Sequence, residues 1–527
     1  MGGFFHVFAL HRQPSHARRE APKCHDWRLF RQAPTACEGR GGSGPAQIVE
    51  RRLATPPRLD LKVAWSDRSV PLHVLHLDHP ARRAGTDGLP LLSNTRGRFG
   101  GEPSGGWGRL TAMNHSSASQ EPEEVALLTG PRAASVLSAA LAPAGQRLAS
   151  WEVHSVHHRP GAGVSVGYTA VVVAPNGRST TEYLCATTAR LSNPHAPGLT
   201  RVAPTGGDGP AVHVWRHPAD PELPGLVVAC TPSLLSARIG TQVKATMVAY
   251  RPTRRAVVRA TFPDETTAYA KVLRPSQAPS FAQRHRLLTA SGVPAPEVLR
   301  EDPDGLVLLS TGRGVALSGL LSQGMSVSRS ERVFNGLISL LDALPASAMQ
   351  LPAHAAWSER ARHYAHAAAT VLPEHAARAR AVAEGVEQLM AASDAGRPVP
   401  VHGDFYEANV LMEGESVTSL LDVDSLGPGY RVDDLACLLG HVSVLDHLAP
   451  ASYPKLRPIL ETWTRMAERQ VDPVSLRARC AGVVLSLVAG ARREDGGPWR
   501  PDAEGRLARA ETWLAQGREI QARRGAH

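Results

Sequence analysis

One stretch of the chain narrows its chemistry more than any other. Val401-His402-Gly403-Asp404-Phe405-Tyr406-Glu407-Ala408-Asn409-Val410-Leu411 is followed by Leu420-Leu421-Asp422-Val423-Asp424. The first element puts a carboxylate and a carboxamide on a loop, and the second puts a carboxylate at the end of an apolar strand. Transfer of a phosphoryl group from ATP needs a carboxylate to orient the acceptor hydroxyl, and oxygen ligands for the Mg²⁺ ions that bridge the phosphates. Asp404 is therefore the expected catalytic carboxylate, and Asn409 and Asp422 are the expected metal ligands. ATP and Mg²⁺ are the expected cofactors. A metal-hydrolase cluster of His402, Asp404 and Asp422 is the rival reading, but such sites draw on more His and Asp ligands nearby. His402 reads instead as a loop-bracing residue.

These motifs resemble the catalytic loop and metal-binding strand of the aminoglycoside phosphotransferase and choline kinase group, relatives of the protein kinases. The pattern there is His-Gly-Asp, four residues, Asn, and later Ile/Leu-Asp. Protein kinases proper carry His-Arg-Asp and Asp-Phe-Gly, so His402-Gly403 and Asp422-Val423-Asp424 favour a small-molecule kinase. The continuation Gly427-Pro428-Gly429-Tyr430-Arg431-Val432-Asp433-Asp434-Leu435-Ala436 is similar to the family segment that ends in Asp-Leu-Ala at a helix start. The likeness spans roughly residues 243–500. It implies an α+β, bilobal protein-kinase-like fold and phosphorylation of an alcohol group on a small molecule. It also implies that Lys271, in Tyr269-Ala270-Lys271-Val272-Leu273, contacts the α/β phosphates. Leu308-Leu309-Ser310-Thr311-Gly312 falls at the inter-lobe hinge, where Leu309 and Thr311 would bind adenine through the backbone. The chain has only five lysines against 53 arginines, so a lysine on this strand suggests a need for a compact point charge rather than a planar fork.

The chain departs from the family in two places. The helix after Lys271 should offer a glutamate partner, yet Ser280-Phe281-Ala282-Gln283-Arg284-His285-Arg286-Leu287-Leu288 has none. Gln283 or His285 replaces it, or the lysine is held another way. The gap supports an alternative function, a nucleotide-binding pseudokinase acting as a regulatory or binding module. The turn Arg251-Pro252-Thr253-Arg254-Arg255 lacks the glycines of a phosphate loop; Arg254 and Arg255 approaching phosphate is one reading, and a solvated hairpin tip is preferred. Asp424 is either a carboxylate close to the metal or a solvated strand end. Asp433 and Asp434 are expected to cap the following helix and tie it to the loop.

Four regions are expected along the chain. Residues 113–240 read as an N-terminal helix plus a β-rich, cap-like subdomain, 241–311 as a kinase-like N-lobe, and 312–527 as a helical C-lobe. A helix over Glu123–Leu141 precedes strands within Trp151–Val173 and at Thr181–Thr187. The hairpin His158-Arg159-Pro160 is echoed by Tyr250-Arg251-Pro252, and Glu182-Tyr183-Leu184 by Ala268-Tyr269-Ala270; duplication and shared turn chemistry both explain this. Residues 1–112 are a Gly/Pro-broken basic leader of low order, for which two readings compete: a disordered tail with a role of its own, or sequence preceding a native start at Met113. Of the formal charge of +10, the leader carries +8 (17 Lys+Arg, 9 Asp+Glu). With no interleaved aromatics or reading motif, the leader does not read as a nucleic-acid arm.

The six cysteines lie far apart with no CxxC pair, which excludes a disulfide scaffold and fits a reducing cytoplasm. The apolar run at Cys480–Ala491 is too short for a membrane span and reads as a buried helix. From His441 onward 14 Lys+Arg face 10 Asp+Glu. That is no acidic cradle for a polycation, so a small hydroxylated metabolite or sugar-like compound is the expected partner, with neither membrane nor nucleic acid.

Overall fold

The computed structural model describes residues 121–159, 163–203, 211–449, 451–453, 455–491 and 499–526. The leader, Met113 and the turn at 160–162 lie outside them. The helix expected over Glu123–Leu141 is two, α1 (Glu121–Thr129) and α2 (Ala133–Leu141). Gly130-Pro131 separates them, because proline has no amide to donate and its ring clashes with the preceding turn.

Both helices pack on a five-stranded antiparallel sheet made of β1 (Arg147–Arg159), β2 (Gly163–Val173), β3 (Ser179–Thr187), β4 (Thr200–Val202) and β5 (Val212–Arg216). Val164, Val166, Tyr168, Ala170 and Val172 of β2 share one face and are each fully buried in the core beneath the helices. The Tyr168 hydroxyl donates to the Leu128 carbonyl at 2.7 Å and pins α1 to that face.

Two short helices, α3 (Leu226–Cys230) and α4 (Pro232–Ile239), lead into a second antiparallel sheet. It comprises β6 (Lys244–Arg251), β7 (Arg255–Thr261), β8 (Thr267–Leu273), β9 (Val298–Glu301) and β10 (Leu306–Ser310). Its order, β6-β7-β8-β10-β9, repeats that of the first, β1-β2-β3-β5-β4. The echo between the two hairpins thus extends to the topology of both sheets. Alternation splits the second sheet's faces: Ala256, Val258, Ala270 and Val272 pack beneath Leu226 and Leu235, while Leu273, Val307 and Leu309 pack against α5 (Ala278–Ala290). Lys271 lies two residues before Leu273 and so shares the α5 face.

Beyond β10 the chain becomes helical. The sequence β11 (Val315–Ala316), α6 (Leu317–Gln323), α7 (Val327–Asp342), α8 (Ala361–Val371) and α9 (Ala376–Ala391) leads to four short strands. These strands, β12 (Pro398–Val401), β13 (Val410–Glu413), β14 (Ser416–Leu420) and β15 (Gly427–Tyr430), form the pairs β13-β14 and β12-β15 that frame the catalytic motif. Four helices close the lobe: α10 (Arg431–Leu448), α11 (Leu456–Ala467), α12 (Pro473–Val488) and α13 (Arg500–Gly525). Pro473–Ala491 is apolar and long enough to cross a membrane, yet 94% of that window is buried within the protein. It is the core helix that the apolar run suggested. The fold is α+β, a sheet lobe followed by a helical lobe, with a further β-rich unit before it.

Candidate active site

The loop between β12 and β13 carries His402 to Asn409 and is held by backbone geometry that its sequence demands. Gly403 has φ +80° and approaches Ser425 so closely that an added Cβ would lie 2.8 Å from the Ser425 Cβ. Only glycine fits there. Asp434, near the start of α10, accepts from the amides of His402 and Gly403 at 2.8 Å each, and Asp433 accepts from the Tyr430 amide at 3.3 Å. The pair therefore caps the helix and ties it to the loop, as expected. Buried His402 accepts the Asp404 amide at Nδ1 (3.3 Å), so its Nε2 carries the proton and donates to the Leu421 carbonyl at 2.9 Å. Burial pushes its pKa down, so it braces the two motif strands as a neutral ring.

Asp404 and Asn409 are 1% and 0% exposed. The Asn409 amide group donates to the Asp404 carbonyl at 3.0 Å, leaving its own side-chain oxygen buried without a protein partner. Neither Asp404 carboxylate oxygen accepts a hydrogen bond of good geometry, although Trp357 exerts a lowering side-chain influence on the group. Burial first, and then the Asp422 carboxylate, pushes the Asp404 pKa up to about 8. Buried polar atoms are seldom left unpaired. An oxygen-only set of two carboxylates and a carboxamide suits a hard cation.

Asp422 adopts the left-handed conformation, φ 53°, which aspartate tolerates better than most residues. Its Oδ1 lies 3.3 Å from the Lys271 ammonium, and Asp424 Oδ1 lies 2.9 Å from it. The ammonium also rests 4.2 Å above the Phe281 ring of α5. The two replacements considered for the missing glutamate do not hold the lysine: Gln283 is exposed, and His285 is hydrogen-bonded to the Pro296 carbonyl at 2.8 Å. The lysine is held another way, by the carboxylates of Asp422 and Asp424. Burial would raise the pKa of Asp424, but Lys271 and Arg255 hold it down at about 2.

Arg255 overturns the solvated-tip expectation. Its guanidinium is 3.6 Å from Asp424 Oδ2, with the side chain 17% exposed. The turn is fixed at Thr253, which is 2% exposed. The Thr253 amide donates to Asp220 Oδ2 at 2.7 Å, and its carbonyl accepts from Arg274 Nε at 2.9 Å. The Tyr250 hydroxyl donates to the same Asp220 oxygen at 2.7 Å, and Arg274 also pairs with Glu222 at 3.2 Å. Asp220 and Glu222 belong to the Pro-rich stretch between the two sheets. At the hinge, Leu309 lies within β10, paired with Tyr269 of β8 and Val298 of β9. Exposed Thr311 follows the strand and bonds the Thr267 carbonyl at 2.6 Å.

Residues 253–469 match the model of the phosphotransferase enzyme family. The matched segment contains the loop from His402 to Asn409, Asp422, Asp424, Lys271 and Leu309–Thr311, and it ends short of α12. Solved structures with similar chains include a thermostable mutant of aminoglycoside phosphotransferase APH(4)-Ia in ternary complex with ADP and hygromycin B. It is 16% identical, covers 55% of this chain and 98% of its own, and has a TM-score of 0.39. Aminoglycoside phosphotransferase APH(3'')-Id from Streptomyces rimosus is 20% identical over 49% and 96% of the two chains, TM-score 0.34. Macrolide 2'-phosphotransferase MphH from Brachybacterium faecium is 19% identical over 54% and 95%, TM-score 0.33. No curated protein matches the sequence.

The site contains residues that sequence reasoning missed. Asp220 and Arg274 fix the turn from outside it, and no local pattern marks them. Asp424 as the lysine's partner had a signal: a helix without glutamate leaves a buried ammonium that some other carboxylate must meet.

Proposed function

We propose that the chain transfers the γ-phosphoryl group of ATP, with Mg²⁺, to a hydroxyl of a small molecule. The observation that carries this reading is the set of buried, unpaired oxygens on Asp404 and Asn409 beside the Asp422 carboxylate, opposite Lys271. Asn409 and Asp422 would hold the metal, which when bound neutralises phosphate charge. Lys271 would turn from Asp422 and Asp424 to the α/β phosphates, and the hinge at Leu309 and Thr311 would hold adenine through its backbone. Asp404 orients the acceptor hydroxyl and takes its proton. As that oxygen bonds to the γ-phosphorus, the bond from phosphorus to the leaving oxygen breaks and ADP departs. A carboxylate with a raised pKa is a stronger base than an ordinary one. The β-rich subdomain (113–240), N-lobe (241–311) and helical C-lobe (312–527) are the units of this reading.

The pseudokinase alternative drew on the absent helix glutamate. With Lys271 held by two carboxylates, that argument loses its basis. The test is steady-state ADP release across sugars, amino alcohols and aminoglycosides, with Asp404→Ala as control. The variant should bind Mg·ATP and turn nothing over. If no compound drives ADP release from the wild type, the enzyme reading fails.

A further inference from the structure

The first sheet repeats the strand order of the second, and the echo of Tyr183 by Tyr269 extends to the register. Cys185 stands between Gly167 and Trp215 as Lys271 stands between Val257 and Val307. The place of the lysine is thus taken by a fully buried thiol, and the described segment between β3 and β4 holds no helix to match α5. A face with neither cation nor helix does not repeat the nucleotide site. It meets Tyr250 of β6 instead. The Tyr250 hydroxyl accepts from Trp215 Nε1 at 3.2 Å and from the Cys185 thiol at 3.7 Å, and donates to Asp220 Oδ2 at 2.7 Å.

Two chains of contacts run from this side of the protein to one residue of the turn. Asp220, 4% exposed, passes the first from Tyr250 to the Thr253 amide. The second starts at Ser192 in the loop after β3, whose hydroxyl donates to Glu222 Oε1 at 2.7 Å. Glu222 pairs with Arg274, and Arg274 Nε donates to the Thr253 carbonyl. Thr253 itself has φ 63°, a region where a β-branched residue is a genuine outlier. Such a conformation persists only where its surroundings over-determine it. Here the two chains do so, one at the amide and one at the carbonyl. Two residues on, Arg255 meets Asp424.

We propose that the N-terminal β-rich unit is a clamp on the nucleotide turn, with Trp215, Tyr250 and Glu222 as positioning residues that hold Thr253 left-handed and so keep Arg255 beside Asp424. This rests on the phosphotransfer reading and gives the β-rich unit a task within it. Without the Tyr250 hydroxyl, Asp220 loses one of its two donors and Trp215 Nε1 loses its acceptor. Thr253 then relaxes out of the left-handed region and carries Arg255 from the site. Glycine holds that conformation at no steric cost, so Thr253→Gly makes the clamp less necessary.

Titration calorimetry of the full chain with Mg·ADP reads the turn without an acceptor. Tyr250→Phe should raise the Kd about tenfold, the scale set by ordering one backbone residue on binding. Against Thr253→Gly alone, adding Tyr250→Phe should raise it no more than about threefold. Glu222→Gln keeps the side chain's shape while weakening its pair with Arg274; it should raise the Kd about fivefold and decides the question if Tyr250→Phe does not fold. Val166→Ala lies on the opposite face of the same sheet, in the core beneath the helices. It should lower the urea midpoint and leave the Kd within about twofold of wild type. An unchanged Kd in the folded clamp variants, an equal loss in the Thr253→Gly background, or a loss matched by Val166→Ala overturns the inference and leaves phosphotransfer standing. A wild type that does not bind Mg·ADP overturns both.

Discussion

The Lys271 ammonium lies 2.9 Å from Asp424 Oδ1, between the Asp422 and Asp424 carboxylates and above the Phe281 ring. Breaking a buried ion pair from one side costs about 3–5 kcal/mol. Because Asp422 and Phe281 remain, Asp424→Asn should fall at the lower end, about 3 kcal/mol, in urea unfolding at pH 7. The sign with pH follows from the depressed carboxyl. Its folded pKa is about 2, against ~3.9 in an unfolded chain, so its contribution is full above pH ~4. It is lost as pH falls toward 2, where wild type and variant should converge. A stability gap that persists at pH 2 would assign the effect to packing instead.

Asp404 behaves in the opposite sense. Its folded pKa of about 8 exceeds the unfolded value, so stability from this residue is greatest below pH ~4 and declines as pH rises to 8. Asp404→Asn should flatten that decline in the metal-free protein. It should also lower kcat by about 10²–10⁴-fold while the KM for ATP changes little. Retention of wild-type kcat would remove Asp404 from the reaction.

A cation beside Asp422 relieves the repulsion that helps to keep Asp404 protonated. Adding Mg²⁺ to the metal-free protein at pH 7 should therefore release up to about one proton. Calorimetry in two buffers of different ionisation enthalpy reads this directly. Asp404→Asn should abolish the buffer dependence, and a wild type without it would contradict the placement of the cation.

Asp220 accepts from both the Thr253 amide and the Tyr250 hydroxyl. Asp220→Ala strands both donors, at about 1–3 kcal/mol for each one left unsatisfied, and frees the turn that delivers Arg255 to the site. Urea unfolding should register the loss, and the KM for ATP should rise several-fold. An unchanged KM in a destabilised variant would confine the tether to a structural role.

Much of this was legible in the sequence. The strands of the second sheet follow from alternation and turn residues. The catalytic loop was readable because Gly403 and Asp434 satisfy local demands that only those residue types meet. Arg255 was not, since a hairpin tip with a proline and three arginines looks solvated until the Asp220 carboxylate is seen gripping it from another segment. In the Pro-rich stretch between the sheets nothing local marks Asp220 and Glu222 as the buried contacts that they are. The Gly130-Pro131 break was visible locally but was outweighed by helical periodicity on either side.

The Thr253 peptide is held at its amide by Asp220 and at its carbonyl by Arg274. Ordering a backbone residue costs about 1–2 kcal/mol in lost entropy. A turn rich in glycine meets that cost when its ligand arrives and adapts as it does so. Here the cost is met when the chain folds, so the turn has its shape before any nucleotide reaches it. Such a site gives up adaptability and gains tighter discrimination, because a ligand that does not match finds nothing that will yield.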